Sequence, residues 1–181
     1  MLSDAGRLQA SKLGERLSGV QFAAAFCSDK QRAIDTAALI CRPHHGLVAS
    51  PTPTLREIDH GHWEGKPQAL VQEQFAEEYQ RWSADPLSYA PPGGETGLSV
   101  LSRALPALMQ IVAEHHGQSV LVVSHTGTNR LLLCTLLGID PRRYRDRIAQ
   151  DLACLNVIDF VDIASAKVTL LNDTSHYQSS D

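Results

Sequence analysis

No stretch of this 181-residue chain approaches the roughly 20 consecutive apolar residues of a membrane-spanning helix. The opening MLSDAGRLQASKLGERL carries charges throughout and has no apolar centre, so it does not read as a secretory signal. Basic residues are not in excess: 16 Lys and Arg stand against 20 Asp and Glu, a formal charge of −4. That excludes a broad nucleic-acid or membrane-surface partner held by general positive charge. Cysteine is sparse, and none of Cys27, Cys41, Cys134 and Cys154 is spaced as CxxC. Each lies in or beside an apolar run, so buried free thiols in a reducing compartment, the cytoplasm, are expected. Repeats, low-complexity tracts, a Walker A loop and a GxGxxG loop are all missing. The pairs His44–His45, His60–His62 and His115–His116 have no third ligand at helical or zinc-finger spacing, so neither a metal nor another cofactor is expected.

What is present suits a single domain over residues 1–181, with 43% hydrophobic residues to build its core. Residues 3–18 read as a helix capped by Ser3, with Ala10, Leu13 and Leu17 on one face. FAAAFC at 22–27 reads as a buried strand, and 29–41 as a helix ended by Pro43. A polar stretch runs to Thr54, and residues 55–65 form a structured loop after a short strand. Residues 67–82 read as one helix, 85–94 as a proline- and glycine-rich loop, and 99–116 as a helix that Pro106 kinks or divides. SVLVVS at 119–124 is the clearest buried strand. An apolar helix follows at 128–137, then a short helix at 141–147. Strands at 154–160 and 167–171, separated by about six polar or small residues, form an antiparallel pair. The alternation argues for an α/β domain: three layers, a mainly parallel sheet, helices on both faces.

In such sheets a ligand sits beyond the carboxyl ends of the strands. The residues just there are Ser28, Asp29, Arg32, Glu57 and His125, and they are expected to converge on one rim. His125 precedes a helix start, whose N–H groups and dipole suit an anion; equally, it can simply close the strand. Arg32 can fork onto a phosphate or pair on the surface with Asp35. Glu57, beside an aromatic in a loop tightened by Gly61 and Gly65, can act as a general acid with a raised pKa, with Asp59 and Glu64 as competitors. Glu95 closes PPGGE, either near a ligand or as a helix-starting carboxylate.

Four segments taken together resemble the histidine phosphatase superfamily, of the phosphoglycerate-mutase-like kind: CSDKQRAIDTA (27–37), LREIDHGHWEG (55–65), APPGGET (90–96) and VLVVSHTGTNRLLL (120–133). Their order and separations match, and LLNDTSHY at 170–177 is similar as well. The resemblance implies a phosphomonoester reaction through a phosphohistidine on a small phosphorylated metabolite, without a cofactor. Arg32 then binds phosphoryl oxygens, Glu57 is the general acid, and His125 hydrogen-bonds the phosphoryl group with help from the Thr126 N–H. Ser28 and Glu95 become substrate-pocket candidates. The short stretch around 82–95 favours a phosphatase over a mutase, and RWSADPLSYAPPGGET at 81–96 resembles α-ribazole phosphatases.

One departure is large. The family's nucleophile lies in an Arg-His-Gly motif on the first strand, and this sequence contains no such motif. The expectation is therefore a domain truncated at its amino terminus and lacking its usual first strand. It is either an enzyme whose start was placed too late or a catalytically inactive phospho-ligand-binding relic. An unpaired sheet edge also favours a homodimer.

Overall fold

Ser3 and Thr96 carry the two clearest capping signals in the chain, and each starts a helix. In the computed structural model, which describes residues 2–162 and 165–178, the Ser3 side chain accepts from the Gly6 N–H ahead of α1 (Asp4–Leu17). Thr96 does the same for the Ser99 N–H ahead of α5 (Gly97–Glu114). Between them run β1 (Phe22–Cys27), α2 (Gln31–Cys41), β2 (Ala49–Pro51), α3 (Gln68–Gln74) and α4 (Ala76–Ala84). After α5 come β3 (Ser119–Val123), α6 (Thr126–Leu136), the single turn α7 (Tyr144–Arg147), β4 (Leu155–Asp162) and β5 (Ser165–Asp173).

The fold is α/β with a parallel sheet in the order β2-β1-β3, flanked by helices. Ala25 sits opposite Ala49 on one side and Leu121 on the other. Successive strand residues point to opposite faces. Ala25 and Leu121 turn toward α1 and α2, packing with Leu13, Leu17, Ile40 and Cys41. Phe26, on the other face, meets His115 at the end of α5. β4 and β5 form a separate antiparallel pair. It is tied to the rest by side chains: Leu155 packs on the α1–α2 cluster, and Ile158 and Val168 pack on a second cluster of Ile58, Val100, Leu131 and Tyr144. Arg16 of α1 adds an ion pair to Asp173 at the end of β5, at 2.5 Å.

Several boundaries differ from expectation for local reasons. The helix expected over 67–82 is two helices, broken at Phe75 (φ −131°, ψ 44°), whose ring packs on Trp63. Pro106 does not divide α5, which continues through it. α6 begins two residues earlier than expected, directly after His125. The closing strands are longer than the sequence suggested; residues 163 and 164 of their connector lie outside the described residues. All four cysteines are free, three of them buried, and burial pushes their thiols up, which keeps them protonated and unreactive. Among the described residues no helix is long and apolar enough to cross a membrane.

The loop at 59–65 is pressed against the PPGG loop. Gly61 has φ +54°, and a Cβ there would stand 2.3 Å from the Pro92 carbonyl oxygen. Backbone cannot yield as a flexible side-chain end does, and the left-handed conformation adds strain for any residue with a Cβ. Gly61→Ala is expected to destabilise the protein by about 2–4 kcal/mol, a size typical of special-backbone sites. Urea unfolding checks it, and a loss under about 0.5 kcal/mol, the ordinary surface range, refutes it.

Candidate active site

The carboxyl ends of β1 and β3 lie side by side, with the Ser28 N–H donating to the Val123 carbonyl at 2.9 Å. Beyond them α2 delivers Arg32, and α6 starts immediately after His125. Arg32 Nε donates to His125 Nδ1 at 3.2 Å. Asp35, the surface partner considered for Arg32, accepts instead from Gln31. The two terminal nitrogens of Arg32 make no hydrogen bond among the described residues.

That contact sets the state of His125. Arginine has no acceptor, so Nδ1 must offer its lone pair, and the proton of a neutral ring sits on Nε2. His125 is only 7% exposed, and Nε2 has no partner among the described residues. Burial first, then the Arg32 charge, push its pKa down to about 4. At neutral pH the ring is therefore an uncharged donor at the sheet rim.

His125 is also the N-cap of α6, yet its side chain does not cap the helix. Glu57 does so from 70 residues earlier. Its carboxylate accepts from the Gly127 N–H and the Thr128 N–H, both at 3.0 Å, and from its neighbour Ile58. Of the first three N–H groups of α6, the Thr126 N–H is the one that Glu57 leaves over. The aromatic neighbour expected for Glu57 is elsewhere: Trp63 packs with Phe75, Tyr79 and Trp82. Helix N–H groups, not a ring, surround this carboxylate. Its competitors are also committed, Asp59 to the Gly61 N–H and Glu64 to the His60 N–H.

Ser28 and Glu95, the substrate-pocket candidates, are both engaged by neighbouring protein groups. Ser28 is fully buried, and its Oγ accepts from the Lys30 N–H, which shapes the turn out of β1. Glu95 is turned to Arg103, which pairs with both of its oxygens at 2.8 and 2.9 Å and holds its carboxyl below the usual range. Asp29 forks with Arg56. A cavity of about 290 Å³ is lined by His60, Trp63, Tyr79, Trp82 and Arg145, the last lying 4.2 Å above the Trp82 ring. Among the described residues no cluster of His, Cys, Asp and Glu could hold a metal ion.

Sequence reasoning missed Ser124, Thr128 and Arg103. Ser124 Oγ donates to the Leu55 carbonyl and Thr128 Oγ1 to the Arg56 carbonyl, fastening the Glu57 segment on either side of His125. Arg103 had a readable signal, since it is the single charged residue between Gly97 and Ala113 of a strongly apolar helix.

The geometry defines an α/β protein whose strand ends gather an arginine, a neutral histidine and a helix N-terminus. The chain belongs to the histidine phosphatase superfamily (branch 1), whose description it matches over residues 1–174. It is 34% identical over 143 residues to phosphoserine phosphatase 1 of Hydrogenobacter thermophilus, covering 79% of this chain and 67% of that protein. It is 32% identical over 159 residues to adenosylcobalamin/alpha-ribazole phosphatase of Escherichia coli, covering 87% and 77%. It spans 42% of the length of a matching bifunctional protein from Mycobacterium tuberculosis. Among solved structures, Bacillus stearothermophilus YhfR superposes with a TM-score of 0.89 at 29% identity, covering 98% of this chain and 87% of that one.

Two outcomes follow from this geometry. A Cβ on Gly127 would lie 2.8 Å from Glu57 Oε1, a movable side-chain end. Gly127→Ala is thus expected to leave stability within about 1 kcal/mol, because alanine favours the helix, while expelling the carboxylate. The Thr128 amide resonance should move as it does in Glu57→Ala; an unmoved resonance refutes this. The second outcome concerns pH. The folded pKa of His125 is about 4, below an unfolded value of about 6.5. The unfolded chain therefore binds the extra proton between those limits. Stability should fall as pH drops from about 6.5 to about 4, by roughly 3 kcal/mol at most. In His125→Asn that slope should be clearly shallower, with burial of His176 leaving a smaller remainder of the same sign, as denaturant titrations at several pH values would show.

Proposed function

We propose that this chain forms the phosphate pocket of a phosphomonoester hydrolase that works through a phosphohistidine on a small phosphorylated metabolite. The observation that carries the reading is the Arg32–His125 contact, because it leaves three donors at one place. These are the terminal nitrogens of Arg32, the free Nε2–H of His125 and the unclaimed Thr126 N–H at the α6 terminus. They suit the oxygens of a phosphoryl group, whose charge in the transition state they stabilise. Glu57, adjoining them, delivers a proton to the leaving oxygen as its bond to phosphorus breaks. Water then attacks phosphorus, giving a proton to the Glu57 carboxylate left by the first step, while the P–N bond of the phosphohistidine breaks and phosphate leaves. The cavity lined by His60, Trp82 and Arg145 is the candidate for the alcohol portion. α-Ribazole phosphate is the specific substrate that the 81–96 stretch suggests, and a panel of phosphomonoesters decides among it, phosphosugars and phosphoglycerates.

His125 itself is not the attacking group in this scheme. Nδ1 accepts from Arg32 and Nε2 carries the proton, so no ring lone pair faces phosphorus. On this reading the attacking histidine is not among residues 1–181, which we take as a single domain, and the free thiols are compatible with a reducing compartment such as the cytoplasm. The separation of the parallel sheet from the β4–β5 pair supports a strand between them, since β3 and β4 both end their hydrogen-bonded order. Without that strand, the same open edges support a homodimer, which sedimentation would register. The lack of an Arg-His-Gly motif also favours a second reading, a phospho-ligand-binding relic without catalysis. An in-frame Arg-His-Gly within about thirty codons upstream of Met1 supports the enzyme; an in-frame stop there supports the relic.

Inorganic phosphate should bind the 181-residue chain and shift the His125 ring resonances, with Arg32→Ala weakening binding at least about tenfold, as loss of a charge-assisted bidentate contact implies. The chain alone should release no phosphate from p-nitrophenyl phosphate. Turnover that His125→Ala abolishes would make His125 the nucleophile and overturn the scheme.

A further inference from the structure

The stretch from Pro53 to Asp59 holds Glu57 yet belongs to no sheet, so its carbonyls need partners from elsewhere. Four consecutive ones are met by side chains. Ser124 serves Leu55, Thr128 serves Arg56, and Arg103 serves Thr54, Arg56 and Glu57 at 2.8, 2.9 and 3.1 Å. The remaining N–H groups of Arg103 go to Glu95. All five guanidinium donors are thereby used. Glu95 closes the brace by exchanging hydrogen bonds with Asp59: its Oε2 accepts from the Asp59 N–H at 3.1 Å, and its own N–H donates to the Asp59 carbonyl at 2.8 Å.

We infer that Arg103, held by Glu95, is the positioning residue that sets the Glu57 carboxylate against the N-terminus of α6. The inference rests on Glu57 being the acid of the reaction proposed above. Arg103 touches no substrate in this scheme; it acts through the backbone on either side of Glu57. From α5 it pins residues 54, 56 and 57, while Gly127 and Thr128 of α6 take the carboxylate. Glu57 thus spans two helices, and its reach to α6 depends on where Arg103 fixes its Cα. Lysine cannot substitute, because a single ammonium has three donors and no planar fork. It could keep the ion pair with Glu95 or some of the carbonyls, but not all of them.

The test reads the docking and not turnover. In the 181-residue chain, the amide resonances of Gly127 and Thr128 report whether Glu57 is seated, with Glu57→Ala as the unseated reference. Arg103→Lys should move both resonances most of the way to that reference and speed their hydrogen exchange at least about tenfold. Affinity for inorganic phosphate should stay within about threefold. Glu95→Gln, which keeps the carbonyl contacts, should move them part of the way in the same direction. A lowered melting temperature with both amides unmoved would reduce Arg103 to general stability and overturn the inference. If Arg103→Lys does not fold, unmoved amides in Glu95→Gln overturn it equally. The acid assignment fails separately: in a chain extended to include the attacking histidine, Glu57→Gln would then keep its rate while Arg103 still controlled docking.

Discussion

The start of α6 is capped by a carboxylate from a distant loop, and most of the polar order at the rim follows from that one contact. A helix leaves its first N–H groups without partners, and His125, though at the N-cap, does not turn back to serve them. Glu57 takes two of them. The next residue in α6 must then be small, which is why Gly127 stands where any Cβ would touch the carboxylate. The loop bearing Glu57 must also be held at a fixed height above the helix. Ser124 and Thr128 do this from the α6 side and Arg103 from α5, so the loop is anchored by side chains where a strand would be anchored by a ladder.

Freed from capping, the His125 ring turns to Arg32 instead. Desolvation of the buried imidazole disfavours a positive charge on it, and the adjacent Arg32 cation acts in the same direction. At this contact a permanent cation thus stands beside a neutral donor and a helix terminus. An anion finds directional N–H groups there without the repulsion between two adjacent cations that the empty site would otherwise bear.

Periodicity made the helices and strands legible, and the rule that ligands collect beyond strand ends correctly grouped Arg32 with His125. What stayed hidden was the company each residue keeps. Glu57 was read against the nearest aromatic in sequence, yet Trp63 turns away into a cluster with Tyr79 and Trp82, and the true neighbours lie 70 residues on. Glu95 was read either near a ligand or as a helix-starting carboxylate; its partner Arg103, eight residues further along, was not foreseen. Both omissions come from the same source. Local spacing reveals faces and ends, whereas a polar side chain's partner depends on which distant backbone groups the fold leaves unsatisfied. The lone charge on apolar α5 was the one trace of such a demand visible beforehand.

The tautomer of His125 and the topology of the strands each limit what the rim can do. Electronically, a ring whose Nδ1 accepts from arginine and whose Nε2 bears the proton is a donor, and making it a nucleophile would require breaking the contact that holds it in place. Sterically, the parallel sheet stops at β3 and the antiparallel pair stops at β4, yet Leu155 and Ile158 of β4 still reach both cores that enclose the sheet. Apolar packing thus keeps β4 beside a sheet to which no hydrogen-bond ladder joins it among the described residues.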